Sequence, residues 1–243
     1  PNAVYSNYLE DGWRTTVEGI VGKIPPLKDL EILIGSLGID NSSHVIIVPG
    51  GVSSSDFGSA ARVYWTFKVL GHEEISILDG GYKAWDNKFP ETKNIGFQIP
   101  DKKVFKSNFQ SKFLATTEEV LKNIDISSVS FIDARTEDQY LGKKKHGKAL
   151  STGTIPGAIN LKQFDLIKEN TSYVKNLNTL AELTSSLGID AHNENITFCN
   201  TGHWAATAWF TLSEVLELPN TKMYDGSMVE WTADTSRPLI NTL

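Results

Sequence analysis

Asn195-Ile196-Thr197-Phe198-Cys199-Asn200-Thr201-Gly202-His203-Trp204-Ala205-Ala206-Thr207-Ala208-Trp209-Phe210 decides how this chain is read. Ile196 to Phe198 is a short β-prone run. From Ala205 onward, helix formers carry aromatic residues and leucines at helical spacing. A few small or polar residues centred on Gly202 lie between them. The stretch predicts strand, tight loop and helix, with the thiol of Cys199 at the carboxyl end of the strand, where open α/β sheets bind ligands. Amides of such a loop and of the helix start can hold a sulfur in its anionic form or cradle an anion beside it. A lone cysteine is also common as inert packing, so the context carries the nucleophile reading.

Outward from this loop the chain repeats itself. Ser36-Leu37-Gly38-Ile39-Asp40 recurs verbatim as Ser186-Leu187-Gly188-Ile189-Asp190. Each copy ends a predicted helix (26–37 and 179–187) and leads to an apolar strand (45–48 and 196–198). At the same offset Pro49 falls opposite Cys199. Leu78-Asp79-Gly80-Gly81 through Trp85 echoes Tyr224-Asp225-Gly226-Ser227 through Trp231, and helices at 60–70 and 205–216 match. Two copies are too few for a solenoid. They describe a duplicated α/β unit of which only the second copy keeps a thiol. Alternation of strands and helices implies parallel sheets flanked by helices.

Thr154-Ile155-Pro156-Gly157-Ala158-Ile159-Asn160 echoes the opening Pro1-Asn2-Ala3-Val4-Tyr5. In the second copy it comes after a helix signalled by Thr116-Thr117-Glu118-Glu119 and a strand at Val129–Asp133. Copies of equal length would put about 40 further residues before the first, so the first unit is expected to be incomplete at its amino end. Its sheet is then one strand short, or a separate amino-terminal fragment of the same polypeptide fills the slot. The units are expected at residues 1–108 and 109–243, joined by an exposed connection over 89–113 that carries Pro90 and Pro100.

Composition excludes several classes. The net charge is −6 and the one basic cluster, Lys143-Lys144-Lys145, reads as a solvated loop, which argues against nucleic acid. No apolar run approaches the ~20 residues of a membrane span. A single cysteine excludes an intrachain disulfide or multi-cysteine metal site, and the five histidines show no ligand spacing. No metal and no cofactor are expected. The compartment, cytoplasmic or periplasmic, stays open.

Four ordered motifs resemble the rhodanese family. Phe131-Ile132-Asp133-Ala134-Arg135 resembles the strand-Asp-x-Arg signature, and Gly153-Thr154-Ile155-Pro156-Gly157-Ala158 the Gly-His-Ile-Pro-Gly-Ala turn, with Thr154 for the usual histidine. Cys199 to Trp204 resembles the active-site loop, and Asp225-Gly226-Ser227 with Trp231 the closing motif of two-domain members. The resemblance implies two rhodanese-like domains, the first inactive, and sulfur transfer through a Cys199 persulfide. A small-molecule sulfur donor and a thiol or cyanide acceptor are the implied partners, and two half-reactions the kinetic pattern.

Arg135 is expected to grip the donor's anionic group, against a structural pairing with Asp133 or a loop carbonyl. Asn200, Thr201 and Gly202 are expected to contribute backbone amides. His203 either adds positive charge or points to solvent, and Trp204 either walls the pocket or packs between domains. For the donor, Asn200 and Thr201 stand where thiosulfate-using relatives carry cations, while Tyr140-Leu141-Gly142 lacks the second arginine of mercaptopyruvate-using ones. The expectation is thiosulfate, with 3-mercaptopyruvate as the alternative. A phosphatase of the same fold ends its loop Cys-x5-Arg, and Ala205 occupies that position. A non-catalytic binding or sulfur-carrier module fits the first copy better than the second.

Overall fold

The computed structural model describes residues 3–92 and 99–241. The first half opens with an antiparallel hairpin of β1 (Thr15–Val17) and β2 (Ile20–Lys23). Glu18 and Gly19 between them both have positive φ, the backbone that a two-residue turn between twisted strands requires. Next come α1 (Leu27–Ser36), β3 (Val45–Ile47), α2 (Ser54–Val69), β4 (Ile75–Ile77) and α3 (Gly81–Lys88). The second half holds α4 (Thr117–Lys122), β5 (Val129–Asp133), α5 (Glu137–Tyr140), β6 (Ile159–Asn160), α6 (Leu177–Ser186), β7 (Glu194–Phe198), α7 (His203–Phe210), β8 (Thr221–Met223) and α8 (Ser227–Trp231).

β3 pairs with β4, and β6-β5-β7-β8 form a second sheet, every neighbour parallel. This is the α/β architecture of two helix-flanked parallel sheets that the repeat predicts. β5 has the apolar character of a strand covered on both faces, with Phe131 and Ile132 buried. Among the described residues the first parallel sheet has two strands and the second four, so it is two short rather than the one expected. The extra loss has a physical reason. β6 exists by pairing with β5, Ile132 opposite Ile159. Residues 3–5, which echo it, pair with no strand among the described residues and stay irregular.

The two halves share a core. α2 lies against α7, with Tyr64 packed on Trp209 and edge-on to Phe210, and Phe57 edge-on to Phe210. Trp65, Phe67 and Trp209 are fully enclosed, each worth about 1.5–3 kcal/mol of apolar burial. α2 begins earlier than its apolar pattern predicts, because Ser53 Oγ accepts from the Asp56 amide and caps it. That added turn carries Ser55 and Asp56 to the functional loop.

The connection between the halves is exposed along most of its described length, as expected, and it is also anchored. Residues 93–98 of the predicted exposed segment lie outside the described residues, but its carboxyl-terminal part is anchored. The Lys103 amide donates to Gly35 O, Asn108 to Leu70 O and Gln110 to Val69 O. Phe105 is buried, edge-on to Phe67 and His72. The phenylalanines of this proline-bearing segment are spread among lysines and polar residues, so which of them packs shows only in three dimensions. No described helix is long and apolar enough to cross a membrane.

Candidate active site

Cys199 leaves the end of β7 and enters the loop that closes on α7. Ser227, at the start of α8, organises that loop from beneath. Its hydroxyl accepts from the amides of Cys199 (3.0 Å) and Gly202 (3.1 Å) and donates to Tyr224 O (2.9 Å). The amides of Met228 and Val229 donate to the carbonyls of Cys199 and Asn200, both at 3.0 Å. The loop is thus clamped to the helix that opens with the Asp225-Gly226-Ser227 motif.

Its other carbonyls are held by arginines of the first half. Thr201 O accepts from Arg14 Nη2 at 2.7 Å, and Gly202 O from Arg62 Nη1 at 3.2 Å. In a trans peptide the N–H points opposite the C=O, so these bonds fix the orientation of the following amides. The backbone amides of Asn200, Thr201, His203 and Trp204 have no hydrogen-bond acceptor among the described residues. Gly202 has φ +74°, and a Cβ there would lie 2.3 Å from Arg62 Nη1 and 2.7 Å from Asp225 O. Glycine is required both by the turn and by the arginine that grips it.

Cys199 is buried, with 2% of its surface exposed, and lines an open cavity of about 550 Å³ that both halves border. Asn200, Thr201, His203 and Trp204 join it from the second half, and Tyr8, Arg14 and Ser55 from the first. Trp204 walls the cavity and stacks edge-on with Phe164 at 5.2 Å. The Asn200 amide group donates to Gln139 Oε1 at 3.3 Å.

His203 points neither to solvent nor toward a cationic role. Its Nε2 lies 3.0 Å from Ser55 O, a group that only accepts, so Nε2 carries the proton. Nδ1, 3.1 Å from Tyr8 Oη, then accepts from the phenol. By surface area the ring is only partly buried, yet it faces the cleft between the halves with protein around it. Burial first, then the charge of Arg14, hold its pKa down to about 4, so it is neutral at pH 7.

Arg135 lies elsewhere. Its Nε donates to Asp133 Oδ1 at 2.9 Å, and its Nη2 to Asp133 Oδ2 at 2.6 Å and Gly153 O at 2.8 Å. Both side chains are buried, and Arg135 is not among the residues around the Cys199 cavity. The pairing with Asp133, the alternative reading of this residue, is the contact that the structure shows. Thr154 donates to Asp133 Oδ2 at 2.8 Å and completes the buried cluster.

Residues of the first half were not legible as site residues. Arg14 and Tyr8 sit in no motif, and only folding brings them to partners 187 and 195 residues away in sequence. Asp225 joins the halves as well, accepting from the Ile24 amide at 2.7 Å and pairing with Lys23 at 3.1 Å and Arg62 at 3.5 Å.

The first half contains an internal control. At the offset of the functional loop, the amides of Gly50, Gly51 and Val52 donate to the Asp56 carboxylate at 2.9, 2.6 and 3.2 Å. Ser172 Oγ adds a bond of 2.7 Å. The duplicated loop therefore holds an anion supplied by its own chain, beside Pro49 instead of a thiol.

Comparison with known proteins agrees with this geometry. The rhodanese-like domain family matches residues 116–234. The protein named "Putative thiosulfate sulfurtransferase" in Haloferax volcanii is 30% identical over 237 residues, 95% of this chain and 79% of that protein. The thiosulfate sulfurtransferase of Bos taurus is 31% identical over 82% of this chain and 66% of its own length. Among solved structures, SseA of Escherichia coli, a 3-mercaptopyruvate sulfotransferase, superposes with a TM-score of 0.73 at 25% identity over 84% of this chain and 74% of its own. Wild-type EanB superposes with a TM-score of 0.81 at 17% identity, covering all of this chain and 59% of EanB, a likeness of fold alone. The duplicated sheets, the thiol loop and these relatives together make the chain a member of the rhodanese-like sulfurtransferase family.

Proposed function

We propose that the chain moves a sulfane sulfur from thiosulfate to a thiophilic acceptor, cyanide or a thiol, through a persulfide on Cys199. The Cys199 thiolate attacks the outer sulfur of thiosulfate, the S–S bond of the donor breaks, and sulfite leaves with the bonding pair. The acceptor then attacks the terminal sulfur of the persulfide, and the Cys199 thiolate returns. Two half-reactions on one nucleophile predict ping-pong kinetics. Residues 109–243 act as the catalytic unit in this reading, and residues 1–108 as an inactive unit that walls its cavity.

The observation that carries the proposal is the placement of the chain's only thiol in a cavity beside four amides with no acceptor of their own among the described residues. A persulfide anion meets the need of those amides, as the Asp56 carboxylate does in the duplicated loop. With no second cysteine to resolve the persulfide, the acceptor must come from outside the chain. Thiosulfate is favoured by the relatives named for it. Mercaptopyruvate is the second reading, favoured by the neutral Asn200 and Thr201 and the likeness to SseA.

Intact mass after incubation with donor tests the step. Thiosulfate should add one sulfur to the wild-type protein and none to Cys199→Ser, and cyanide should remove it as thiocyanate. Initial rates with each donor then separate the two readings. Sulfur uptake by Cys199→Ser would end the proposal.

A further inference from the structure

The loop after Cys199 contains no cation until His203, and that imidazole is neutral at pH 7. Arg135 is engaged by Asp133 away from the cavity. His146, which also borders the cavity, has its pKa lowered by burial, then by Arg14, Lys148 and Lys145. The permanent positive charge among the cavity residues is therefore Arg14.

Arg14 differs from the other arginines of the chain. Arg62 pairs with Asp225, Arg135 with Asp133 and Arg237 with Asp234. Arg14 forms no ion pair among the described residues. Its Nη2 and Nε are fixed to backbone carbonyls, Thr201 O at 2.7 Å and Gly22 O at 3.5 Å, and its guanidinium lies 5.8 Å from the centre of the Tyr8 ring. Trp13, the preceding residue, is buried and anchors the segment through Nε1 to Ser6 Oγ at 2.8 Å. A partly buried guanidinium with no carboxylate, fastened two residues from a nucleophile, is a preset counter-charge for something that arrives. Among the described residues the only carboxylate bordering the cavity is Asp56, already saturated by three amides and Ser172.

We infer that Arg14, contributed by the inactive half, binds the anionic group of the sulfur donor (the sulfonate oxygens of thiosulfate or the carboxylate of an α-keto thiol) and so selects small anionic donors. The inference rests on the sulfurtransferase reading above for the donor's identity. It also gives the first half a function, since it supplies the charge that the catalytic loop lacks.

The test compares wild type, Arg14→Gln and Arg14→Lys by two measurements. With thiosulfate as donor, Arg14→Gln should lower kcat/KM by about tenfold or more, chiefly through KM, and Arg14→Lys should recover part of the loss because it keeps the charge but not the planar fork. Independently, Cys199 is alkylated with iodoacetate, an anion, and with iodoacetamide, its neutral analogue. Arg14→Gln should slow iodoacetate several-fold more than iodoacetamide, so that the ratio of the two rates falls. If both reagents slow equally, Arg14 only holds the loop and the inference is overturned. It is overturned too if the iodoacetate-to-iodoacetamide ratio stays at the wild-type value. If wild type takes sulfur from neither thiosulfate nor mercaptopyruvate, the proposed function fails, and the alkylation ratio still decides the role of Arg14.

Discussion

Ser227 Oγ accepts the amide of Cys199 at 3.0 Å, so a hydroxyl 28 residues downstream sets the backbone from which the thiol projects. Ser227 also holds the Gly202 amide and adopts φ +51°, a left-handed conformation that a non-glycine side chain takes only when its surroundings impose it. The nucleophile's loop and the start of α8 are therefore one structural unit.

Ser227→Ala should release both amides without a replacement acceptor, costing about 1–3 kcal/mol for buried donors left unpaired. Ser227→Gly relieves the backbone conformation but loses the same acceptor. Both variants should lose sulfur uptake at Cys199 while the glycine variant keeps more of its stability. Urea unfolding and persulfide mass measured together check this, and full activity in either variant would show that the loop holds its own shape.

Arg135→Ala should act on stability before donor use. It leaves the Asp133 carboxylate buried with Thr154 as its remaining side-chain donor, and breaking one side of a buried pair costs about 3–5 kcal/mol. The urea midpoint should fall sharply, with the KM for donor close to wild type in the protein that remains folded. An unchanged midpoint with a raised KM would return Arg135 to the donor site.

His203 predicts a pH effect of definite sign. Its folded pKa of about 4 lies below its ordinary value of 6.5, so the unfolded chain binds more protons between those values. The stability it confers is complete above pH 6.5 and is lost as pH falls toward 4. Against His203→Gln, wild type should lose about 2 kcal/mol across that window, the partial exposure of the ring keeping this below the full linkage value. Unfolding curves at pH 7 and pH 4.5 measure it, and parallel pH profiles for the two proteins would show that the ring is not buried as a neutral group.

Asp56→Ala empties the duplicated cradle. Three amides lose their carboxylate, and the first half should be destabilised by about 1–3 kcal/mol. Sulfate should then raise the Tm of the variant more than that of wild type, because an external anion can take the vacated amides. An equal response in both proteins would mean that the loop rearranges instead of keeping its anion-binding form.

The local pattern determined much about this protein by itself. Val129–Asp133 and Ile196–Phe198 are apolar runs, and both are strands of one buried sheet. The Thr116 cap, with its hydroxyl accepting from the Glu119 amide, starts a helix where the sequence signals one. The verbatim repeat at Ser36 and Ser186 marked the duplication, and the strand-to-helix switch around Gly202 marked the thiol loop. All of these signals arise between residues near in sequence, where periodicity and backbone preference act directly.

Tertiary structure decided the charges. Arg14 and Arg135 carry the same side chain, and nothing in the linear order tells which of them borders the Cys199 cavity. Arg135 lies two residues from Asp133 on a buried strand end, so the low-dielectric interior holds the pair together. Arg14 forms no ion pair among the described residues, and the packing of α2 on α7 brings the two halves together beside it. The protonation of His203 obeys the same rule, because a ring becomes neutral through the burial and cations that the fold brings to it. Sequence proximity governs which backbone forms, whereas Coulomb interactions depend on distances that exist only once the chain has folded.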